Sequence, residues 1–437
     1  MKNLNKVLLI QLNEANFWLF KKYKSKLIKY KHLNKVLNLN KIYTDDEDIY
    51  EYQEPWIKWM SFYLGIKSKI HKVFRLGHGQ PAQQKSIFNN LEKIGYNIGV
   101  LMSMNYKNDI KKNNFFISDP WTMSSEKIPK KYINFIDCLK RNILKNSENK
   151  ISNKDKLIIL INLLKLFPLK DYLMLFISIF KSLKKPWIKA LLLDCALTNL
   201  YLKIDNKNTD KKFNFIFLNS IAHIQHRFML NSKFVESSIK NPEWLVKKNI
   251  DPIEDSFFYL DYIFNKLTKN EAFIIMNGFS QIPYDRIKFY WRIRDLSKFF
   301  KSVGLNFKKV EQKMTRDFEL YFENLTDLNV ARSILTNAFC NTNNCKIFND
   351  ISKNKLALFG SLSYPYEVKK NDLIIINNKS INFNTVISFV AIKNAMHSSK
   401  GVVYFSDHFN DLIDHKVLEK TFDISLINPL ILNLLQK

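Results

Sequence analysis

The sequence predicts an α/β protein: a mostly parallel central sheet flanked by helices, with a helical insertion. Three observations lead there. Residues 6–12 (KVLLIQL), 213–218 (FNFIFL) and 272–276 (AFIIM) are largely apolar runs that stop abruptly at Asn13-Glu14, Asn219 and Asn277. Runs of this kind suit strands covered on both faces, and polar residues at their ends suit the ligand-binding edge of a parallel sheet. Segments of helical period lie between the runs, as parallel strands joined by helical crossovers require. Residues 129–204 add apolar side chains at helical intervals with no strand pattern.

In chain order, residues 15–39 are helical in period, and a helix over 83–94 precedes a buried strand over 96–104 (YNIGVLMSM). The basic helical stretch 129–204 breaks near Ser152, Pro168 and Pro186. Short strand candidates fill 306–322 and 355–385, separated by an Asn- and Lys-rich surface loop at 341–354. Residues 402–405 (VVYF) form another strand, and 410–436 are mostly helical. The expected organisation is a first part of the core at 1–128, a cap-like insertion at 129–204 and a second part at 205–437. No internal repeat is present.

Composition narrows the classes. At 437 residues, about 150 per domain gives roughly three domain equivalents, or one large domain with insertions. With 46% hydrophobic and 25% charged residues, a sizeable core forms and global disorder is excluded. Four cysteines exclude a disulfide scaffold. The net charge is 68 − 40 = +28, which favours anionic partners. Lysine is spread along the whole chain without a basic block, so no specific nucleic acid is expected. Residues 7–10 (VLLI) are too short for a signal-peptide core of about 7–15 residues. The apolar region 157–183 is interrupted by Lys165, Pro168, Lys170 and Asp171, and reads as two packed helices rather than a span of about 20 residues. A cytoplasmic protein is expected.

The chemistry-bearing residues gather at strand ends: Asn13-Glu14, Asn219 with His223 and His226, Asn277, and His397. His223 and His226 are three apart and share a helix face, which makes half of a metal site; helix-start histidines of purely structural use have the same spacing. Cys340 and Cys345 lack a second Cys/His pair, so a zinc ribbon is not expected. The segment 288–294 (KFYWRIR) mixes cations and aromatics and reads as an amphipathic element with snorkelling arginines.

The order of these features resembles the alkaline-phosphatase-like superfamily of phosphodiesterases, sulfatases and cofactor-independent phosphoglycerate mutases. That family opens with an apolar strand ending in a metal-binding Asp, where this chain has Asn13. A nucleophile loop follows, then a Gly and a His six residues on, matched by Gly65 and His71. An Asp with a His four later is matched by Asn219 and His223. A strand ending in Asp-His-Gly is represented by Asn277 and Gly278. A late metal-binding His with a Gly four later is matched by His397 and Gly401, and ISLINPLILNLL resembles the family's closing "DIAPTLL".

The resemblance implies an alkaline-phosphatase-like fold with one metal held by Asn219, His223 and His397, where Asn replaces Asp. The second metal would fall to Asn13, Asn277 and Gly278, which are poor ligands, and residues 54–56 (EPW) offer no hydroxyl nucleophile. Catalytic residues are therefore unassigned. Glu14 and His226 are the nearest substitutes for lost ligands, and His71 and Gln281 join Asn13 and Asn277 as cleft residues. Two cations are needed for a two-metal displacement. The expected function is accordingly hydrolysis or transfer at a phosphate or sulfate ester with at most one metal, a weak zinc site. The alternative is a non-catalytic relative that binds an anionic small molecule, a phosphorylated or sulfated glycan or a lipid headgroup in the same cleft. Peripheral membrane contact is a further expected partner interaction.

Overall fold

The structure is a computed structural model that describes residues 4–46, 49–81, 84–144, 151–269, 271–313 and 315–436. The chain divides into two compact units, one comprising residues 1–283 and 395–437 and the other Tyr284–Asn394.

The larger unit is built on an eight-stranded sheet. Its spatial order is Thr421–Phe422, Asn40–Thr44, Gly401–Phe405, Ala272–Met276, Lys6–Leu12, Lys212–Leu218, Asn97–Leu101 and Asn113–Ile117. Gly401–Phe405 is antiparallel to both of its neighbours, and the other pairings are parallel. This is the mixed, mostly parallel α/β sheet expected from the sequence. The apolar runs lie at its centre because they alone can be covered on both faces: Val7, Leu9, Ile10, Phe213, Phe215, Ile274 and Ile275 are all inaccessible to solvent.

Differences from the expected elements follow the same logic. Asn40–Thr44 (NKIYT) and Asn113–Ile117 (NNFFI) are strands that the apolar-run criterion misses, since each begins with polar residues and lies towards a sheet margin. The helix before Asn97–Leu101 is shorter than expected, Ile87–Lys93, because Ser86 and Asn89 form a reciprocal capping box that fixes its start. In the last segment, helix is confined to Ile427–Gln436 and short 3-10 turns.

Residues 129–204 contain the helices Ile133–Leu144, Asn153–Leu166, Tyr172–Lys184 and Ile188–Ile204, and no strand among the described residues. Ser152 caps the second of these by accepting from the Asp155 N–H at 3.1 Å. Ile188–Ile204 is the hub. It packs against Asn153–Leu166, Tyr172–Lys184, Ser220–Phe228 and Pro252–Leu267. No helix among the described residues is long and apolar enough to cross a membrane.

The smaller unit lies within the stretch 205–437 that was expected as the second part of the core. Within it, Phe348–Asn354, Ala357–Leu362, Asp317–Tyr321 and Lys309–Gln312 make a four-stranded antiparallel sheet. Phe299 and Phe300 of helix Leu296–Ser302 pack with Phe318 and Phe348 as its aromatic core. Phe348–Asn354 falls inside the expected surface loop 341–354. Its Asn and Lys residues point to solvent while Phe348 is buried, so composition alone hid the pairing. The chain enters this unit through the strand Ser280–Ile293 and leaves it through Ile387–Ser398.

Candidate metal centre

The site grows from three strand ends. Lys6–Leu12 lies between Lys212–Leu218 and Ala272–Met276, with Leu12 opposite Leu218 and Gln11 opposite Met276. Asn13, Asn219 and Asn277 therefore leave the sheet side by side. The Asn13 N–H donates to the Leu218 carbonyl and the Glu14 N–H to the Asn277 carbonyl, both at 3.0 Å. Glu14 takes a positive φ of 56°, a conformation that few non-glycine residues adopt. Gln225 holds this turn from both sides: its Nε2 donates to the Glu14 carbonyl and its Oε1 accepts from the Asn16 N–H, each at 2.8 Å.

Glu14 is almost fully buried, and its Oε2 lies 3.0 Å from His226 Nε2 and 3.2 Å from His397 Nε2. The two Nε2 atoms are 3.3 Å apart. Donor atoms about 2.0–2.1 Å from a tetrahedral zinc stand roughly 3.3 Å from each other, so these three atoms already sit close to the spacing of three zinc ligands. Two more features fit a cation. The Glu54 carboxylate stands 3.9 Å from His397 Nδ1, on the side of the ring where metal-bound histidines commonly face a carboxylate. Gln281 Nε2 donates to Glu14 Oε2, while Gln281 Oε1 is buried without a hydrogen-bond partner beside the cluster. This Glu/His/His group could hold a metal ion. Burial pushes the Glu14 pKa up, but the charges of His397 and His226 and their hydrogen bonds outweigh it. They hold the carboxyl well below the usual carboxylate range.

The three asparagines are committed to the protein. Asn13 Nδ2 donates to Glu14 Oε1 at 2.9 Å and to Asn219 Oδ1 at 2.8 Å, and its Oδ1 accepts from the Trp59 indole at 2.8 Å. Asn277 Nδ2 donates to the Ala15 carbonyl and to Ser280 Oγ, and its Oδ1 accepts from the Val402 N–H at 2.8 Å. Gly401 is required here. A Cβ on it would lie 2.6 Å from the Gly278 carbonyl oxygen and 2.9 Å from Asn277 Oδ1. The remote motif positions meet as well: Asn428 Nδ2 donates to the Tyr63 carbonyl at 2.9 Å, beside Gly65.

His223 is placed differently from the expected ligand set. The helix Ser220–Phe228 turns His226 towards Glu14 and His397, whereas His223 Nε2 meets Asn219 Nδ2 at 3.3 Å. The expected pairing of His223 with His397 is thus replaced by His226 with His397. Residues three apart on a helix differ by about 60° in direction, enough to send one ring into the cluster and the other beside it. His223 is exposed in a recess, yet crowding by protein, then the charges of Arg227 and His226, moves its pKa downward. His71 also stands outside the cluster. It is buried, with Nε2 3.0 Å from Ser61 Oγ and Nδ1 accepting from the Val73 N–H at 3.0 Å. Glu54, Gln225 and Trp59 were not singled out by sequence reasoning. Only Glu54 carried a signal, its place at the expected nucleophile loop.

Beside Asn219 and His223 opens an apolar cavity of about 90 Å³. Met102, Met104 and Trp121 line one side, and Leu139, Leu193 and Leu197 of the 129–204 helices line another. Asp194, on the same wall, accepts from the Ser220 N–H at 2.9 Å and from its hydroxyl at 2.5 Å, which starts the helix carrying both histidines. Burial raises its pKa to about 6.

No family model matches the chain, and no curated protein matches it. Among solved structures, the chain is similar to human ectonucleotide pyrophosphatase/phosphodiesterase 5 at 10% identity and a TM-score of 0.40, over 99% of this chain and 95% of that one. It is similar to the alkaline phosphatase PafA at 12% identity and a TM-score of 0.44, over 100% and 96%. It is also similar to phosphonoacetate hydrolase from Sinorhizobium meliloti at 9% identity and a TM-score of 0.38, over 98% and 96%.

Proposed function

We propose that this chain hydrolyses or transfers a phosphate or sulfate ester at a single metal centre held by Glu14, His226 and His397. The observation that carries the reading is the spacing of those three donor atoms, 3.0, 3.2 and 3.3 Å, at the ligand-binding edge of the sheet. A bound zinc would supply Lewis acidity to an ester oxygen. The protein's own part is then positional. Asn13 orients the Glu14 carboxylate, and Glu54 faces the outer nitrogen of His397. His223, whose pKa is shifted down, presents a neutral imidazole to the recess, where it can accept a hydrogen bond or a proton. The apolar cavity beside it would take the organic group of the ester, and the insertion helices would act as its cap.

A second reading, non-catalytic binding of an anionic ligand, is favoured by one observation: the Asn13 and Asn277 amides are spent on internal hydrogen bonds. The test is turnover of aryl phosphate monoesters, phosphodiesters and sulfates by zinc-loaded protein, with Glu14→Gln as control. Zinc-dependent turnover that Glu14→Gln abolishes supports the first reading. No turnover of any ester, with saturable binding of phosphate or sulfate, replaces it with the second.

A further inference from the structure

Helix Tyr172–Lys184 is built inside out. Its large side chains Leu173, Phe176, Ile177, Phe180 and Leu183 face solvent, with Leu173, Phe180 and Leu183 at 72%, 70% and 73% exposure. Towards the protein it turns Leu175 and two serines, Ser178 and Ser182. Ser178 Oγ accepts from the Tyr259 hydroxyl of helix Pro252–Leu267 at 2.9 Å, which fixes that orientation. The exposed positions recur at i, i+3, i+4 and i+7, one continuous stripe on the helix. Helix Asn153–Leu166 shares the exposed stripe: Leu157, Leu160 and Ile161 face solvent, although Leu163 and Leu166 are buried together with Asp155. An ordinary surface helix does the reverse, and contiguous apolar patches of this kind mark interaction sites.

The charges beside the stripes are of one sign. Lys154, Lys156 and Lys165 on the first helix, and Lys170, Lys181 and Lys184 at the second, are all exposed. The only acids between residues 151 and 185, Asp155 and Asp171, are bound by Arg141 and Lys266 at 2.7 and 2.6 Å. The two helices have 14 and 13 residues, too short to span a bilayer of about 20 residues but suited to lie in its interface.

We propose that these two helices dock the protein on an anionic membrane surface, their apolar stripes entering the boundary between headgroups and acyl chains and their lysines meeting lipid phosphates. The inference is independent of the metal centre. It is tested by co-sedimentation of the full chain with vesicles of phosphatidylcholine alone or of equimolar phosphatidylcholine and phosphatidylglycerol. Wild type is expected to sediment with the anionic vesicles and to be released by salt. Replacing Leu173, Phe176 and Phe180 together by Ser is expected to weaken binding by about tenfold or more, with an unchanged near-ultraviolet spectrum. Should that variant fold poorly, Lys181→Gln with Lys184→Gln keeps the stripe and is expected to cost about fivefold per lysine. Absence of wild-type binding to anionic vesicles, or lysine variants that bind as wild type, overturns the proposal. So does a wild-type dimer that the triple-Ser variant dissociates without any vesicle binding, which would make the stripes an interface between copies.

Discussion

His226→Ala should abolish tight metal binding, and His223→Ala should leave it nearly unchanged. The family resemblance makes His223 the ligand, whereas the geometry makes it His226, since His226 Nε2 lies 3.0 Å from Glu14 Oε2 and 3.3 Å from His397 Nε2. Because the three donors already stand near tetrahedral spacing, little rearrangement is needed to bind, and removing one leaves only two. Loss of an outer partner of a metal ligand commonly costs 10–100-fold in affinity, so loss of a direct donor should cost more than about 100-fold, or about 2.7 kcal/mol. His223→Ala removes only a contact to Asn219 and should leave zinc affinity nearly unchanged. Calorimetric zinc titration of chelator-treated protein reads both. A linked readout is thermal stability: zinc at 100 times the wild-type Kd should add about 2.7 kcal/mol to wild type and to His223→Ala, and less than about 0.4 kcal/mol to His226→Ala. Zinc binding abolished by His223→Ala and retained by His226→Ala would refute the assignment.

Two further perturbations probe the scaffold. Asp194 has a folded pKa of about 6 against about 3.9 unfolded, so the folded state binds the proton more tightly. Its effect on stability is therefore most favourable below about pH 4, falls between about pH 4 and 6, and is level above, a drop of roughly 2–3 kcal/mol that denaturant unfolding should show in the difference between wild type and Asp194→Asn across that range. Gly401→Ala would place a Cβ 2.3 Å from Thr44 Oγ1 and 2.6 Å from the Gly278 carbonyl oxygen. Chemical denaturation should report a loss of about 1–3 kcal/mol, larger if the backbone cannot yield.

Sequence patterns exposed the central strands because burial on both faces leaves a short, largely apolar run that is bounded by polar residues. They exposed Asn13, Asn219 and Asn277 as well: each is the polar residue at which an apolar run leaves the sheet, and Asn13 and Asn277 stay buried there because protein groups satisfy their amides. Marginal strands such as Asn113–Ile117 were illegible, because their polar starts look like loop. The ligand set was half legible. Spacing places His223 and His226 on one helix face but cannot tell which ring turns inward. That choice is made by the turn at Glu14, whose positive φ and tie to Gln225 depend on a residue 211 positions away. The smaller unit was missed because residues 284–394 follow the core strand Ala272–Met276 without any compositional break.

The asparagines at the strand ends can be understood together with Glu14. Asn13 Nδ2 donates to both Glu14 Oε1 and Asn219 Oδ1, at 2.9 and 2.8 Å. An aspartate at position 13 would instead set a second carboxylate against two acceptor oxygens, at a distance where like charges in a buried site are strongly repulsive unless a cation lies between them. Glu14 is also the residue that the left-handed turn presents to His226 and His397. The negative charge that the family pattern puts on residue 13 is thus carried here by residue 14, and an amide at 13 is the partner that a buried carboxylate at 14 needs. One carboxylate with two imidazoles is a donor set for one cation. The neighbouring amides, each spent on the backbone or on another side chain, hold that set in place.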